Sequence, residues 1–178
     1  MAGQRLTDKT ALEEQTGSGD LYMVVDVNDT TGSAAGTSKK IDSKFVIQTD
    51  KISLSNAEVL DLDTNEKTLI GALSGYMITP ISVTVLCTYA AATENQRKQL
   101  LFGFEDTDDA VFWSKVDNCM DGITTNVTYH LGAGESDKAG SCSIPTINRP
   151  FICWAQGTGF AGGWSCDIYV TYCYTKVL

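Results

Sequence analysis

The sequence predicts a mainly β protein: a short N-terminal region followed by an antiparallel β-sandwich domain that is jelly-roll-like. Three observations carry this. All three tryptophans, Trp113, Trp154 and Trp164, and all six cysteines lie in the second half of the 178-residue chain. Each buried aromatic ring removes roughly 150–250 Å² from water, so this half can build a compact core. Ile81, Val83, Val85, Cys87 and Tyr89 alternate with Ser82, Thr84, Leu86 and Thr88, the period of a strand with one buried face. Further short apolar runs follow, separated by Gly-rich turns, as in a sandwich or jelly roll.

In chain order, Thr10-Ala-Leu-Glu13 matches a capping box, which predicts a short helix from 11 to about 16, stopped by Gly17. Ser18-Gly19-Asp20 is a turn. Leu21 to Val27 is a strand, apolar and β-branched between turn residues. Asn28 to Lys40 is a polar loop of small residues. Ile41 to Ile47 is a second strand or a short helix. Ser55-Asn-Ala-Glu58 is another capping-box match, yet Val59-Leu-Asp-Leu-Asp63 alternates like a strand, and the region is read as an extended connector. Thr93 to Gln96 can cap one helical turn. Gln99 to Glu105 and Ala110 to Val116 flank Asp106-Thr-Asp-Asp109, a hairpin tip. Asn126 to Leu131, Arg149 to Ala155 and Cys166 to Lys176 complete the strands. The expected division is an N-terminal region over 1–50, a connector over 51–75 and a sandwich over 76–178.

The chain holds 13 Lys and Arg against 22 Asp and Glu, a net charge of -9. That argues against nucleic acid as a partner, because phosphate contacts need clustered cations. The longest uncharged stretch, Thr68 to Thr93, is broken by Gly71, Gly75 and Pro80, so no membrane span is expected. Residues 1–20 lack the apolar run of a signal peptide. Without that signal, disulfides are not favoured. With no CxxC, neither is zinc. The cysteines are expected to act as small buried hydrophobes, with Cys166 and Cys173 on opposite faces of one strand. No cofactor is expected.

Catalytic constellations are sparse. The single histidine, His130, sits on a predicted strand and would have to supply any Cys–His dyad. Gly71-Ala-Leu-Ser-Gly75 places Ser74 one position late for a nucleophile elbow. Glu105-Asp-Thr-Asp-Asp109 reads as a charged hairpin tip rather than a calcium loop. Asp61 to Glu66 starts like a calcium loop but lacks its glycine and its terminal glutamate. Gly157-Thr-Gly159 has no βαβ context for a dinucleotide. The loop from Ala155 to Trp164 carries Phe160 and Trp164, which either stack on a sugar or fold back on the core. The sequons at Asn28 and Asn126 are chance matches.

One stretch is more specific. Gly19-Asp-Leu-Tyr-Met-Val-Val-Asp-Val-Asn-Asp-Thr30 runs through a small-residue loop into Gly36-Thr-Ser-Lys-Lys-Ile41. It resembles the N-terminal segment of many tailed-bacteriophage fibre, spike and head-appendage proteins. The resemblance covers residues 5 to 47 and does not reach 76–178. It implies a virion location, with the N-terminal part docked on capsid or tail proteins and the C-terminal part projecting. The docking positions it implies are Leu21, Tyr22, Val24, Asp26, Lys39, Lys40 and Ile41.

Most proteins with this resemblance are homotrimers, burying surface that no single chain can cover. Val59, Leu60, Leu62, Leu69 and Ile70 either line such an axis or pack on their own β domain. The reading is therefore a non-enzymatic head fibre, decoration, or short tail or collar fibre. One rival is a receptor- or carbohydrate-binding tip, taking a host-surface glycan on Trp154, Phe160 and Trp164. A second rival is a small hydrolase.

Overall fold

The computed structural model describes residues 21–26, 28–29, 31, 37–42, 45–104, 112–132 and 147–177. The expected helix at 11–16, the hairpin tip at 105–109 and Cys142 lie outside these residues. The chain separates into two units, Met1–Val46 and Ile47–Leu178. In the first unit, β1 (Leu21–Asp26) pairs antiparallel with β2 (Thr37–Asp42). The second predicted strand thus ends at Asp42, near where it was expected to begin.

The second unit is a sandwich of two four-stranded antiparallel sheets. Its strands are β3 (Gln48–Leu54), β4 (Lys67–Ile70), β5 (Tyr76–Tyr89), β6 (Leu100–Gly103), β7 (Ser114–Val116), β8 (Val127–Leu131), β9 (Phe151–Ala155) and β10 (Trp164–Lys176). One sheet has the order β3-β10-β5-β8 and the other β4-β9-β6-β7. Strand β3 pairs with β10, β4 with β9, β5 with β8, and β6 with β7. These are the rungs of one long hairpin. Rolling that hairpin sets β10 beside β5 and β9 beside β6, which is the topology of a jelly roll.

Two features correct the expected division. Strands β3 and β4 and the helix α1 (Asn56–Leu60) fall within 51–75 or at its edge, so this stretch belongs to the sandwich and is no connector. The capping box prevails over the alternation: Ser55 Oγ accepts from the Glu58 amide, and Glu58 takes the Ser55 amide in return. Val59 and Leu62, three apart on the helical side, are buried in the core with Leu69 and Ile70. Those residues pack on their own chain, while Leu60 is exposed.

The core lies between the sheets. Val83, Val85 and Cys87 of β5 and Ile168 and Val170 of β10 meet Phe102 of β6 and Phe151 and Cys153 of β9. Strand β10 keeps its alternation throughout, and the register shift between Thr171 and Tyr172 is absorbed by β5, where Ile81 is the extra residue. Pro80, which has no N–H to give a ladder, sits at that bulge, and Ile81 is exposed. Cys87, Cys119, Cys153 and Cys166 are free, buried thiols, and Cys173 is half-buried on the opposite face from Cys166. Burial pushes the Cys153 thiol up to about 12, so it is inert at neutral pH.

The rolled hairpin brings four connections to one end of the sandwich, and Glu94 ties three of them. It forms no helical cap with Thr93. Its side chain is 1% exposed, and its carboxylate accepts from the amides of Asn95 (3.1 Å), Gln96 (3.0 Å), Ala161 (2.8 Å) and Gly162 (2.8 Å). Its carbonyl takes the Gly122 amide at 2.9 Å. Burial pushes this carboxyl up, but the four amides outweigh burial and hold it below its ordinary value. Close glycines allow the approach: a Cβ on Gly162 would lie 2.9 Å from both Glu94 N and Trp164 Cδ1.

Two predictions follow from this end of the fold. Glu94→Gln loses about 1–3 kcal/mol in urea denaturation at pH 7, because an amide group must face backbone donors. The Glu94 contribution is complete above its unfolded value near 4.5 and is lost as pH falls through the lower folded value. The variant's stability therefore falls less than the parent's between neutral and acid pH. Gly162→Ala costs about 1–3 kcal/mol by overpacking. By contrast, Gly71→Ala, with nothing within 4 Å of the new methyl, stays within about 0.5 kcal/mol of the parent.

Candidate docking hairpin and ligand cleft

All seven expected docking positions fall on the β1–β2 hairpin. The register sets Leu21 opposite Asp42, Tyr22 opposite Ile41, Val24 opposite Lys39 and Asp26 opposite Thr37. Lys40 lies opposite Met23. Val24 and Ile41 are half-buried, and Lys39 and Lys40 are exposed. Between the strands, Asp29 bonds to both Thr31 and Lys39. Its Oδ1 accepts from Thr31 N at 3.1 Å and Thr31 Oγ1 at 2.6 Å, a side-chain-capped turn. Its Oδ2 meets Lys39 Nζ at 2.8 Å, which links the turn to β2.

The three aromatic residues that the rival glycan reading turned toward a sugar do not face one. Trp154, Phe160 and Trp164 are 3%, 4% and 1% exposed. Trp164 opens the inward face of β10 and packs edge-on against Phe160, with centroids 5.0 Å apart. Trp154 joins Leu101, Phe112 and Ile152 in a second apolar cluster. Rings with no open face cannot stack on a ligand, so the glycan reading built on them is corrected: the loop folds back on the core. His130 is exposed on β8 and shares a 3.1 Å hydrogen bond with Thr84 Oγ1 of β5. Ser74 is exposed in the turn before β5, where Gly75 takes a positive φ of 80°.

A different site emerges at the β3–β10 edge, and sequence reading did not single it out. Ser53, Ser55, Glu58, Thr88, Ser165 and Asp167 line a cleft of about 430 Å³, with Leu54 and Cys166 completing it. The strands place them by alternation. Ser53 and Ser55 flank buried Leu54, and Ser165 and Asp167 flank buried Cys166. Leu54 pairs with Cys166, Ser53 with Asp167, and Thr88 with Ser165. The signal that could have found it is this repeated pattern of a buried residue between two hydrogen-bonding ones.

Two similar triads face the cleft. Asp167 accepts from Ser53 Oγ at 2.6 Å and meets Lys51 Nζ at 2.9 Å. Glu58 accepts from Ser55 Oγ at 2.8 Å and meets Lys67 Nζ at 2.5 Å. The Lys67 ammonium, then the Ser55 amide and hydroxyl, lower the Glu58 carboxyl to about 2. The Ser53 hydroxyl and Lys51 likewise lower Asp167.

No family model matches the chain, and no curated protein matches it. Among solved structures, it is similar to a chain of the heated full particle of Israeli acute paralysis virus, at 13% identity over 96% of both chains, with a TM-score of 0.31. A chain of the native Kashmir bee virus virion at acidic pH gives 10% identity over 95% of both chains, also with a TM-score of 0.31. At these scores the likeness adds nothing to the topology, and the jelly roll rests on the strand order itself.

Proposed function

We propose that this chain is a non-enzymatic structural protein of a tailed-bacteriophage virion. It would be a small homo-oligomeric head fibre, decoration, or short tail or collar fibre. The N-terminal hairpin docks it on capsid or tail proteins, and the jelly roll projects. The observation that supports this reading most is a coincidence of boundaries. The segment that resembles phage appendage proteins contains both strands of the hairpin, and that hairpin belongs to a unit separate from a complete jelly roll. A two-stranded sheet with six-residue strands is marginal in water. Docking and trimerisation give it the surface it lacks. The fold alone assigns no function. The non-enzymatic reading draws on the scarcity of catalytic groups: the only histidine is bonded to a threonine on an open sheet face.

Light scattering of the full chain tests the oligomer. The expected mass is about three times the 19.2 kDa of one chain. Val24→Asp with Ile41→Asp, at the half-buried hairpin positions, reduces it to one chain while leaving the melting of the jelly roll unchanged. A monomeric parent would remove the trimer. Mass spectrometry of purified particles tests the location: the parent chain is present, and the double variant is depleted.

A further inference from the structure

We propose that the cleft between β3, α1 and β10 binds a neutral saccharide, one pyranose unit at a time. This goes beyond the virion role and does not rest on it. The volume of about 430 Å³ falls within the roughly 300–1,000 Å³ of small-molecule sites. The lining then selects the ligand chemistry.

Each carboxylate already holds its own ammonium, Asp167 that of Lys51 and Glu58 that of Lys67. A cation would have to displace a lysine, and an anion would meet two carboxylates. An apolar group would strip water from four hydroxyls and two carboxylates without replacing those bonds. A neutral polyol meets none of these penalties. Its hydroxyls donate to the free lone pairs of the carboxylates and accept from serine and threonine, and each sugar hydroxyl can do both. Thr88 and Ser165 lie opposite one another, and their hydroxyls have no side-chain partner among the described residues. They are the donors left for a ligand.

Positioning is also in place. Asp167 and Ser165 sit on a strand paired on both sides, and the carboxylates are fixed by serine and lysine before any ligand arrives.

The test is a backbone amide NMR titration of the full chain with D-glucose, D-galactose, D-mannose, N-acetyl-D-glucosamine and L-rhamnose, and separately with calcium chloride. At least one sugar is expected to give saturable shifts at residues 53–55, 88 and 165–167, with a Kd of about 1 mM. Thr88→Leu with Ser165→Leu, which removes both free hydroxyls and fills the cleft, weakens that binding about tenfold or more. Thr128→Leu, on β8 of the same sheet, leaves it unchanged. Ser165→Ala alone gives a smaller loss and serves if the double variant does not fold. The proposal is overturned if no sugar shifts the cleft, if the shifts survive in the cleft variants, or if only calcium produces them.

Discussion

The jelly roll depends on a carboxylate held without a cation. Glu94 is buried, no lysine or arginine pairs with it among the described residues, and four backbone amides take the place of water. Burying an isolated charge is expensive, and the usual escape is neutralisation by a raised pKa. Here the balance goes the other way, because hydrogen bonds to an ionised acceptor are the strong ones. The donors come from two connections far apart in sequence, β5 to β6 and β9 to β10. Gly122, from the β7 to β8 connection, adds its amide to the Glu94 carbonyl. Three of the crossings that a rolled hairpin must make are thus fastened at one residue. The fourth, around α1, is fastened separately: Ala155 N donates to Leu62 O at 3.0 Å. Gly159 also approaches Asp63 and Leu60 too closely for a side chain.

The strands were legible where one face alone is buried. Ile81 to Tyr89 and Cys166 to Lys176 alternate because β5 and β10 have the core on one side and an open face on the other. Alternation failed for α1. Val59, Leu60 and Leu62 suit either period over so short a run, and only the reciprocal Ser55–Glu58 bonds decide. The bulge at Ile81 was illegible, since a strand with one extra residue reads like one without.

Single residues were less legible than elements. The first hairpin strand was legible, but its return was not: Lys39 and Lys40 were read as loop, and they lie on β2. The aromatic loop was left open between a ligand face and a fold back on the core, because glycine-rich composition does not say which way a loop folds; the Phe160–Trp164 contact decides it. Glu94 lay inside a Thr93 to Gln96 helix-cap match and drew no reading of its own, and the amides it accepts from 161 and 162 lie too far along the chain for any local pattern. The cleft has the same character. Each strand contributes an ordinary alternating triplet, and a site exists only once the register sets Ser53 against Asp167 and Thr88 against Ser165.

The edges of the sheets bear on how copies of the chain associate. An open edge is a template for further strands, and proteins blunt it by shortness, charge or cover. The edge strands β4 and β7 have four and three residues, too few to seed a stable pairing. Strand β3 is longer, but it carries Asp50 and Lys51, and its lysine is fixed to Asp167. Strand β8 exposes Thr128 and His130. None of these edges offers a long apolar ladder. Addition of further strands to the sandwich is therefore disfavoured at each of its four edges.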